Sequence, residues 1–338
     1  MSITRQDFWL EAWYQGRWWL YLLYPLAWLF RTLAARRRRQ QQRQNQQLAP
    51  LGVPVIVVGN ITLGGTGKTP LLIAIAKYLQ RQGYRPGIIS RGYGGQAPYY
   101  PYTLSSNSRA AEVGDEPLLI FRETGCPVVV GPDRRADAEA LLEAHACDII
   151  LSDDGLQHYR LPRSIEIAVV DGQRGLGNGL CLPAGPLREP PQRLTEVDLV
   201  VFNGDTTLVT PLPVDSQPHT MRLAPSCWRA VVDQSEKPLL QPPCETEVWA
   251  VAGIGNPQRF FNTLAQLGLK PKTQVFPDHH QYQISDFAFV QDSPLLMTAK
   301  DAIKCQTFAQ PNWWYLAVDA KLGERFWHQL SEKLQSCV

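Results

Sequence analysis

Short apolar runs alternate with longer amphipathic stretches along most of this chain. The segments VPVIVVGN (residues 53–60) and CPVVVG (126–131) each contain an unbroken apolar core. Such cores are typical of strands that are buried on both faces of a parallel sheet. The segment TPLLIAIAKYLQRQG (69–83) has helical spacing, with Pro70 in its first turn and Gly83 as its stop. The pattern predicts an α/β fold with a mostly parallel sheet covered by helices on both faces.

A proline-rich stretch, TPLPVDSQPHT (210–220), interrupts this alternation. Strand-then-helix patterns resume after it, as in EVWAVAGIGNPQRFFNTLAQLG (247–268). We therefore expect a boundary near residues 215 to 245. It divides the chain into a core, residues 49–220, and a smaller second α/β lobe, residues 221–338.

The N-terminal segment, residues 1–48, has a different pattern. Between Trp18 and Phe30 every residue is apolar, aromatic or proline, and the block ARRRRQQQRQ (35–44) follows closely. The apolar run is shorter than the ~20 residues that span a bilayer. Because Trp and Tyr favour the membrane–water boundary and arginines favour anionic lipid heads, we predict an aromatic helix that lies in or dips into the inner leaflet, then a polar, basic linker.

Two other interpretations of this segment were weighed. An export signal has a basic start and a small-residue cleavage site, whereas here Asp7 and Glu11 come before the apolar run and arginines come after it. A helix packed on the protein's own core remains an alternative.

The composition limits the class of protein further. The chain has 338 residues, is 44% hydrophobic and carries a net charge of only +2, so no strong field for nucleic acid is expected. Its seven cysteines stand singly, without zinc-type spacing, which favours reduced thiols in the cytosol.

The segment GNITLGGTGKTP (59–70) lies between the first buried strand and the first helix of the core. It resembles a Walker A loop, whose backbone N–H groups wrap phosphates while its lysine reaches the β and γ oxygens and its Ser/Thr binds Mg²⁺. One departure is that Thr62 stands where the strict pattern has glycine. Leu63 stands where dimerising ATPases have a second lysine. The candidate nucleotide-binding residues are Thr62, Leu63, Gly64, Gly65, Thr66, Gly67, Lys68 and Thr69.

Two acidic motifs complete the candidate chemistry. The strand CDIILSDDG ends in Asp153 and Asp154, which have the place of Walker B ligands for Mg²⁺, although solvated acids at a strand end are the alternative. In VGDEPLLIFRE, Asp115 and Glu116 precede Pro117, a candidate first helical residue. Either acid could accept a hydroxyl proton from an acceptor substrate, or the two could only cap the helix.

Several cationic residues are weaker candidates. Arg134 and Arg135 lie near the start of a helix that we predict to begin at Pro132. Their position opposes the helix dipole, which indicates an anionic neighbour or pairing with nearby aspartates. Arg188 lies in a Gly/Pro-rich loop that could form a rim over phosphates. His279, in the segment FPDHHQY, could orient an acid or a base across the cleft, or lie on a surface loop. The order in MTAKDAIK, which contains Lys300, does not match a guanine-reading motif.

The motifs GNITLGGTGKTP, SRGYGG, GDEP, GPDR, DDGLQH, LPAGPLRE and FPDHHQY occur in this order. Because of these ordered motifs, the chain resembles the tetraacyldisaccharide 4'-kinase family from about residue 8 to about residue 320. The resemblance implies an inner-membrane enzyme on the cytoplasmic face, with a P-loop core, a smaller second lobe and an N-terminal membrane-facing helix. It also implies transfer of the γ-phosphate of ATP to the 4'-hydroxyl of a tetraacylated glucosamine disaccharide 1-phosphate. The family's loop tolerates threonine at position 62.

The resemblance also implies roles for individual residues. Lys68 and Thr69 would hold phosphates and Mg²⁺, with Glu116 near the metal and Asp153 and Asp154 supporting it.

On the acceptor side, the resemblance makes Asp115 the catalytic base and pairs it with His279. Arg135 and Arg188 would neutralise phosphate charge. A nucleotide-switch protein and a soluble small-molecule kinase are the alternatives that the residues alone leave open.

Overall fold

The computed structural model describes residues 5–206, 217–244 and 247–337. The α-helices in these ranges are α1 (Arg5–Gln15), α2 (Tyr24–Gln46), α3 (Lys68–Arg81), α4 (Ala110–Val113), α5 (Asp115–Thr124), α6 (Arg134–Ala144), α7 (Pro257–Gln266), α8 (Ala299–Cys305) and α9 (Glu324–Gln335). The strands are β1 (Val55–Gly59), β2 (Pro86–Ser90), β3 (Tyr102–Thr103), β4 (Val128–Val130), β5 (Ile149–Asp153), β6 (Ile165–Asp171), β7 (Leu199–Asn203), β8 (His219–Ala230), β9 (Glu236–Pro238), β10 (Glu247–Ala252), β11 (Lys270–Val275), β12 (Leu295–Thr298) and β13 (Trp313–Leu322).

The sheet of the core is parallel around β1, as the apolar runs predict. β1 pairs with β5 on one side and with β6 on the other, and β2, β4 and β7 extend the parallel arrangement. Every residue of β1, β2, β4, β5 and β7 is buried, because hydrophobic clusters lie on both faces of these strands. The carboxyl ends of β1 and β5 are neighbours, so the glycine loop and the acidic strand end meet at one edge.

The C-terminal strands continue this sheet. The order across the described strands is β11-β10-β12-β13-β8-β7-β6-β1-β5-β2-β4-β3, and β9 pairs with β8. β8 makes the connection, because it runs parallel to β7 over its first residues and antiparallel to β13 over most of its length. The expected boundary near 215 to 245 includes β8, β9 and residues outside the described ranges. The division into a core and a second lobe stays a prediction.

The N-terminal segment combines a packed face with an exposed one. Ala12, Trp13 and Leu20 are buried, and the Trp13 indole Nε1 donates to the Pro183 carbonyl at 3.0 Å. The exposed large apolar side chains between residues 18 and 33 are Trp18, Tyr21, Leu22, Tyr24, Leu26, Trp28, Leu29 and Leu33. The glutamine-rich stretch that we predicted as a linker forms the last turns of α2. Within the described residues, no helix has both the length and the apolar character that a bilayer crossing requires.

Two helix starts differ slightly from their sequence-based positions. α5 begins at Asp115 rather than at Pro117, directly after Gly114, whose φ of 88° turns the chain into the helix. α6 begins at Arg134 rather than at Pro132, because the Asp133 carboxylate accepts hydrogen bonds from the first-turn amides and caps the helix there. The first shift places Asp115 and Glu116 inside the first turn of α5, and the second leaves Arg134 and Arg135 in the first turn of α6.

Candidate active site

The glycine loop joins β1 to α3 and is fixed by two asparagines. Asn60 donates to the Thr66 hydroxyl at 3.2 Å, and Asn203, at the end of β7, donates to the Thr66 carbonyl at 3.0 Å. Gly67 has φ of 93°, and a Cβ at this position would clash with the Asn203 amide. Only glycine fits both the conformation and the space. The sequence analysis did not select Asn60 or Asn203, because neither belongs to the phosphate-loop pattern.

A second loop, residues 181–188, supports the glycine loop from one side. The Leu63 amide donates to the Pro186 carbonyl at 2.8 Å, and the Arg188 amide donates to the Ile61 carbonyl at 2.7 Å. This pairing brings the Arg188 side chain to Asp154, where its Nη1 lies 2.9 Å from Oδ2. The sequence predicted a rim over the phosphates at this loop, and the structure places its arginine beside the acidic end of β5.

Lys68 and Arg188 both contact Asp154. The Lys68 ammonium lies 3.6 Å from Asp154 Oδ1, and its side chain is largely buried. Burial disfavours the charged form of Asp154, but Lys68 and Arg188 outweigh burial and lower the pKa of this carboxyl to about 2. Asp154 is therefore ionised at neutral pH, and it draws the loop lysine and Arg188 to one point.

Asp153 has a contrasting environment one residue earlier. Its Oδ2 accepts a hydrogen bond from the Ser90 hydroxyl at 3.0 Å, while its buried Oδ1 has no hydrogen-bond partner among the residues that the structure describes. Burial, together with the nearby charges of Glu116 and Asp154, raises the pKa of Asp153 to about 7. A buried carboxylate oxygen with no partner is suited to a divalent cation, which would supply the missing positive charge.

The donor set fits Mg²⁺ rather than a metal held by protein ligands alone. No group of three or more His, Cys, Asp or Glu side chains is arranged to hold a metal ion in the described ranges. Mg²⁺ usually takes one or two carboxylates and completes its shell with phosphate oxygens and water. Thr69, Glu116, Asp153 and Asp154 stay the predicted contributors.

Asp115 and His279 form a pair across the cleft. The His279 Nδ1 lies 3.1 Å from Asp115 Oδ2, and the Glu116 amide donates to Oδ1 at 2.9 Å. Burial disfavours the charged carboxylate, but the hydrogen bond with His279 and the two nearby lysines outweigh burial and lower the pKa of Asp115. The same hydrogen bond raises the pKa of His279. The two residues stand 164 positions apart in the sequence, and the fold brings them together as expected.

Lys300, at the start of α8, is a site residue whose role the sequence analysis missed. Its ammonium lies 3.1 Å from Glu116 Oε1 and 3.4 Å from Asp278 Oδ1. It also lies 3.4 Å from His279 Nε2 and 3.8 Å from Asp115 Oδ2. These acids outweigh burial and raise the pKa of Lys300. The motif MTAKDAIK by itself suggests no more than a nucleobase reader, whereas its lysine joins the Asp115–His279 pair to Glu116.

The two adjacent arginines of α6 have different surroundings. Arg134 is buried, donates to the Gly131 carbonyl at 2.7 Å and lies 3.5 Å from the Asp153 carbonyl. Arg135 donates to the Ala49 carbonyl at 2.7 Å and to Glu139 at 2.6 Å. Both line the cavity, and Arg134 is the one beside the acidic end of β5.

One cavity of about 1680 Å³ joins these groups. It extends from the N-terminal aromatic segment, over the glycine loop, to α8. Its lining includes Lys68, Glu116, Asp154, Arg188, His279 and Lys300. Asp115 is 5% exposed and contacts this lining through His279 and Lys300. The phosphate loop and the Asp115–His279 pair meet at this one cavity, an arrangement that fits the class of P-loop phosphotransferases.

Comparison with known proteins identifies the family. The family model described as "Tetraacyldisaccharide-1-P 4'-kinase" matches residues 19–335. The chain therefore belongs to the tetraacyldisaccharide 4'-kinase family.

Individual relatives agree over almost the full length. The tetraacyldisaccharide 4'-kinase of Hahella chejuensis is 46% identical over 332 residues, which cover 96% of each chain. The enzyme of that name from Ectopseudomonas mendocina is 47% identical over 329 residues, or 97% of each chain. A crystal structure of LpxK from Aquifex aeolicus in complex with ATP superposes with a TM-score of 0.75 and 29% identity, covering 93% of this chain and 99% of that one.

Proposed function

We infer that this chain is an ATP-dependent kinase that transfers the γ-phosphate to the 4'-hydroxyl of a tetraacylated glucosamine disaccharide 1-phosphate. The product is the 4'-phosphorylated lipid A precursor. Family membership supports this activity, and the ATP complex of the Aquifex aeolicus relative supports the donor. The observation that carries the mechanism is the Asp115–His279 pair, which lies at the cavity that contains the phosphate loop.

On the donor side, the loop and the start of α3 bind the triphosphate. Backbone N–H groups between Thr62 and Thr69 face the phosphates, and the helix dipole adds positive potential at the same place. Lys68 exchanges its contact with Asp154 for the β and γ oxygens, where its charge offsets the charge that develops in transfer. Arg188 reaches the same oxygens from the opposite loop, and Arg135 contributes positive potential from α6.

A bound Mg²⁺ would supply further charge neutralisation at the phosphates. The residues that would hold it are the Thr69 hydroxyl and the carboxylates of Glu116, Asp153 and Asp154. Asp153 is the strongest candidate among these acids, because its Oδ1 is buried and finds no hydrogen-bond partner in the described part of the chain.

On the acceptor side, Asp115 is the general base. Its Oδ2 accepts the proton of the 4'-hydroxyl as the sugar oxygen attacks the γ-phosphorus in line. The bond from the γ-phosphorus to the β–γ bridging oxygen breaks, and ADP leaves with its electron pair. His279 holds this carboxylate in place, and it stabilises the ionised form through their hydrogen bond. Closure of the cleft around both substrates excludes water that would otherwise hydrolyse ATP.

The N-terminal segment brings the enzyme to the membrane that carries its substrate. Aromatic and aliphatic side chains between Trp18 and Leu33 are exposed, and the arginines of α2 follow directly in sequence. An amphipathic surface of this kind lies in the headgroup region and is attracted by anionic lipids. We propose the cytoplasmic face of the inner membrane as the location.

The test is ATP consumption by the purified enzyme with and without the tetraacylated disaccharide 1-phosphate. We expect consumption to require the acceptor and to produce a product heavier by one phosphate. An acceptor that already carries a 4'-phosphate is the matched control and should give no turnover. Equal ATP hydrolysis with and without acceptor would refute the proposal and would favour the nucleotide-switch class.

A further inference from the structure

Lys304 is a buried lysine that the mechanism above does not use. Its side chain is 2% exposed and lies one helical turn after Lys300 on α8. Its ammonium lies 3.2 Å from Asp301 Oδ1 and 3.9 Å from Asp115 Oδ2, and it faces the ring of Tyr282 at 4.9 Å. Among the described residues, this ammonium has no hydrogen-bond partner.

Asp301 does not need Lys304 for its own hydrogen bonds. The Asp301 carboxylate accepts from the Thr298 hydroxyl at 2.6 Å, the Gly253 amide at 3.1 Å and the Tyr282 hydroxyl at 3.1 Å. The 3.2 Å ion pair places a counter-charge beside the fully buried Asp301 carboxylate, and this is a structural role for Lys304. That pair does not require the further contact of Lys304 with Asp115.

The second group in reach of Lys304 is the catalytic carboxylate. Asp115 Oδ1 accepts from the Glu116 amide, while Oδ2 is approached by His279 at 3.1 Å, Lys300 at 3.8 Å and Lys304 at 3.9 Å. Lys300 lines the cavity and also contacts Glu116 and Asp278. The side chain of Lys304 is 2% exposed, and among the described residues its acidic contacts are Asp301 and Asp115.

We propose that Lys304 is a positioning residue for phosphoryl transfer, whose fixed ammonium holds the Asp115 carboxylate in its orientation toward His279. This inference rests on the proposed function. The attraction between opposite charges at this distance in a buried site is substantial. Asp301 and Tyr282 hold the ammonium from the other side, so that the orientation of the base is set from within the second lobe rather than by the cavity wall.

The first test is Lys304→Met, which keeps the length of the side chain and removes its charge. We expect kcat to fall about 100-fold, the size of loss that follows from misplacing a reacting group by about 1 Å. The KM for ATP and the thermal stabilisation by ATP should stay unchanged, because the contacts described for Lys304 are with Asp115, Asp301 and Tyr282 and not with the phosphate loop. The matched control is Cys305→Ala, which removes a fully buried side chain from the same helix without changing its charge. This control should lower stability and leave kcat near the wild-type value.

The second test combines Lys304→Met with Asp115→Asn. A residue that acts through Asp115 has little further effect once that carboxylate is gone, so the loss from Lys304→Met should largely disappear in this background. An equal loss in both backgrounds would overturn the proposal, as would wild-type kcat in Lys304→Met. If Lys304→Met does not fold because Asp301 is left unpaired, the variant Lys304→Met/Asp301→Asn removes both charges and should show the same loss of kcat.

The two proposals fail in different ways. Wild-type enzyme that consumes ATP without regard to the acceptor would refute the proposed function. Acceptor-dependent wild-type turnover that Lys304→Met leaves intact would refute only the role of Lys304.

Discussion

Replacing Asp115 with asparagine tests the general base without changing the shape of the site. Asparagine keeps the size of the side chain and an oxygen that can accept the Glu116 amide, which lies 2.9 Å from Oδ1 in the native protein. It removes the charge that His279 and two lysines stabilise. The variant should therefore fold, bind ATP and lack the group that takes the sugar proton.

The expected loss of kcat follows from the role of Asp115 as general base. General base catalysis contributes about 10²–10⁴-fold, so kcat should fall by that factor, equivalent to a barrier higher by about 3–5 kcal/mol. ATP binding should survive, because none of the hydrogen bonds that fix the phosphate loop involves Asp115. At a nucleotide concentration 100 times Kd, the stabilisation of about 2.7 kcal/mol should match that of the wild type.

Two assays on the same protein separate these effects. Acceptor-dependent ATP consumption measures kcat, and thermal unfolding with and without ATP measures nucleotide binding. Turnover of Asp115→Asn at the wild-type rate would refute the assignment of the base. Loss of ATP stabilisation together with turnover would show instead that Asp115 supports the nucleotide site.

The remaining predictions concern the loop, a buried histidine and the N-terminal face. Lys68→Ala should lose both turnover and thermal stabilisation by ATP, because its ammonium is the loop's charge for the phosphates; retained stabilisation would contradict this role. Burial, with nearby arginines, lowers the pKa of His158 to about 4, below the unfolded value of 6.5, so its neutral form stabilises the fold above pH 6.5. As pH falls from 6.5 to 4, denaturant titration should show that the wild type loses up to about 3 kcal/mol more stability than His158→Gln. Trp18→Glu/Trp28→Glu changes two side chains that are 74% and 64% exposed and should shift the enzyme from the membrane fraction to the soluble one, whereas Leu240→Glu, at a residue 96% exposed, should not.

The elements of the core could be predicted from the sequence because the patterns that predict them lie within short, continuous segments. The apolar segment around β1, the glycines before Lys68 and the stop at Gly83 predict strand, loop and helix within one continuous stretch. The parallel neighbours of β1 follow from the same apolar pattern. The continuity of the sheet into the C-terminal strands was not readable, because it depends on the pairing of β8 with β13 across about 90 residues of chain.

Residues of the candidate site could be predicted from the sequence only where they belong to a recognisable motif. Asp115 and His279 were expected to meet, and they do. Lys300 and Lys304 were missed, since their partners come from segments far apart in the sequence and a lysine on a short helix carries no local signal. The choice between Arg134 and Arg135 depends on which side chain turns toward β5, and helical spacing did not resolve two adjacent positions.

The most direct test of the account is a crystal structure of the enzyme with a non-hydrolysable ATP analogue and the tetraacylated acceptor. The account predicts a γ-phosphate in contact with Lys68, an acceptor 4'-oxygen about 3–3.5 Å from the γ-phosphorus, and Asp115 in hydrogen-bond reach of that oxygen. A complex in which the 4'-oxygen and Asp115 lie in separate clefts, with the triphosphate away from Lys68, would contradict the account.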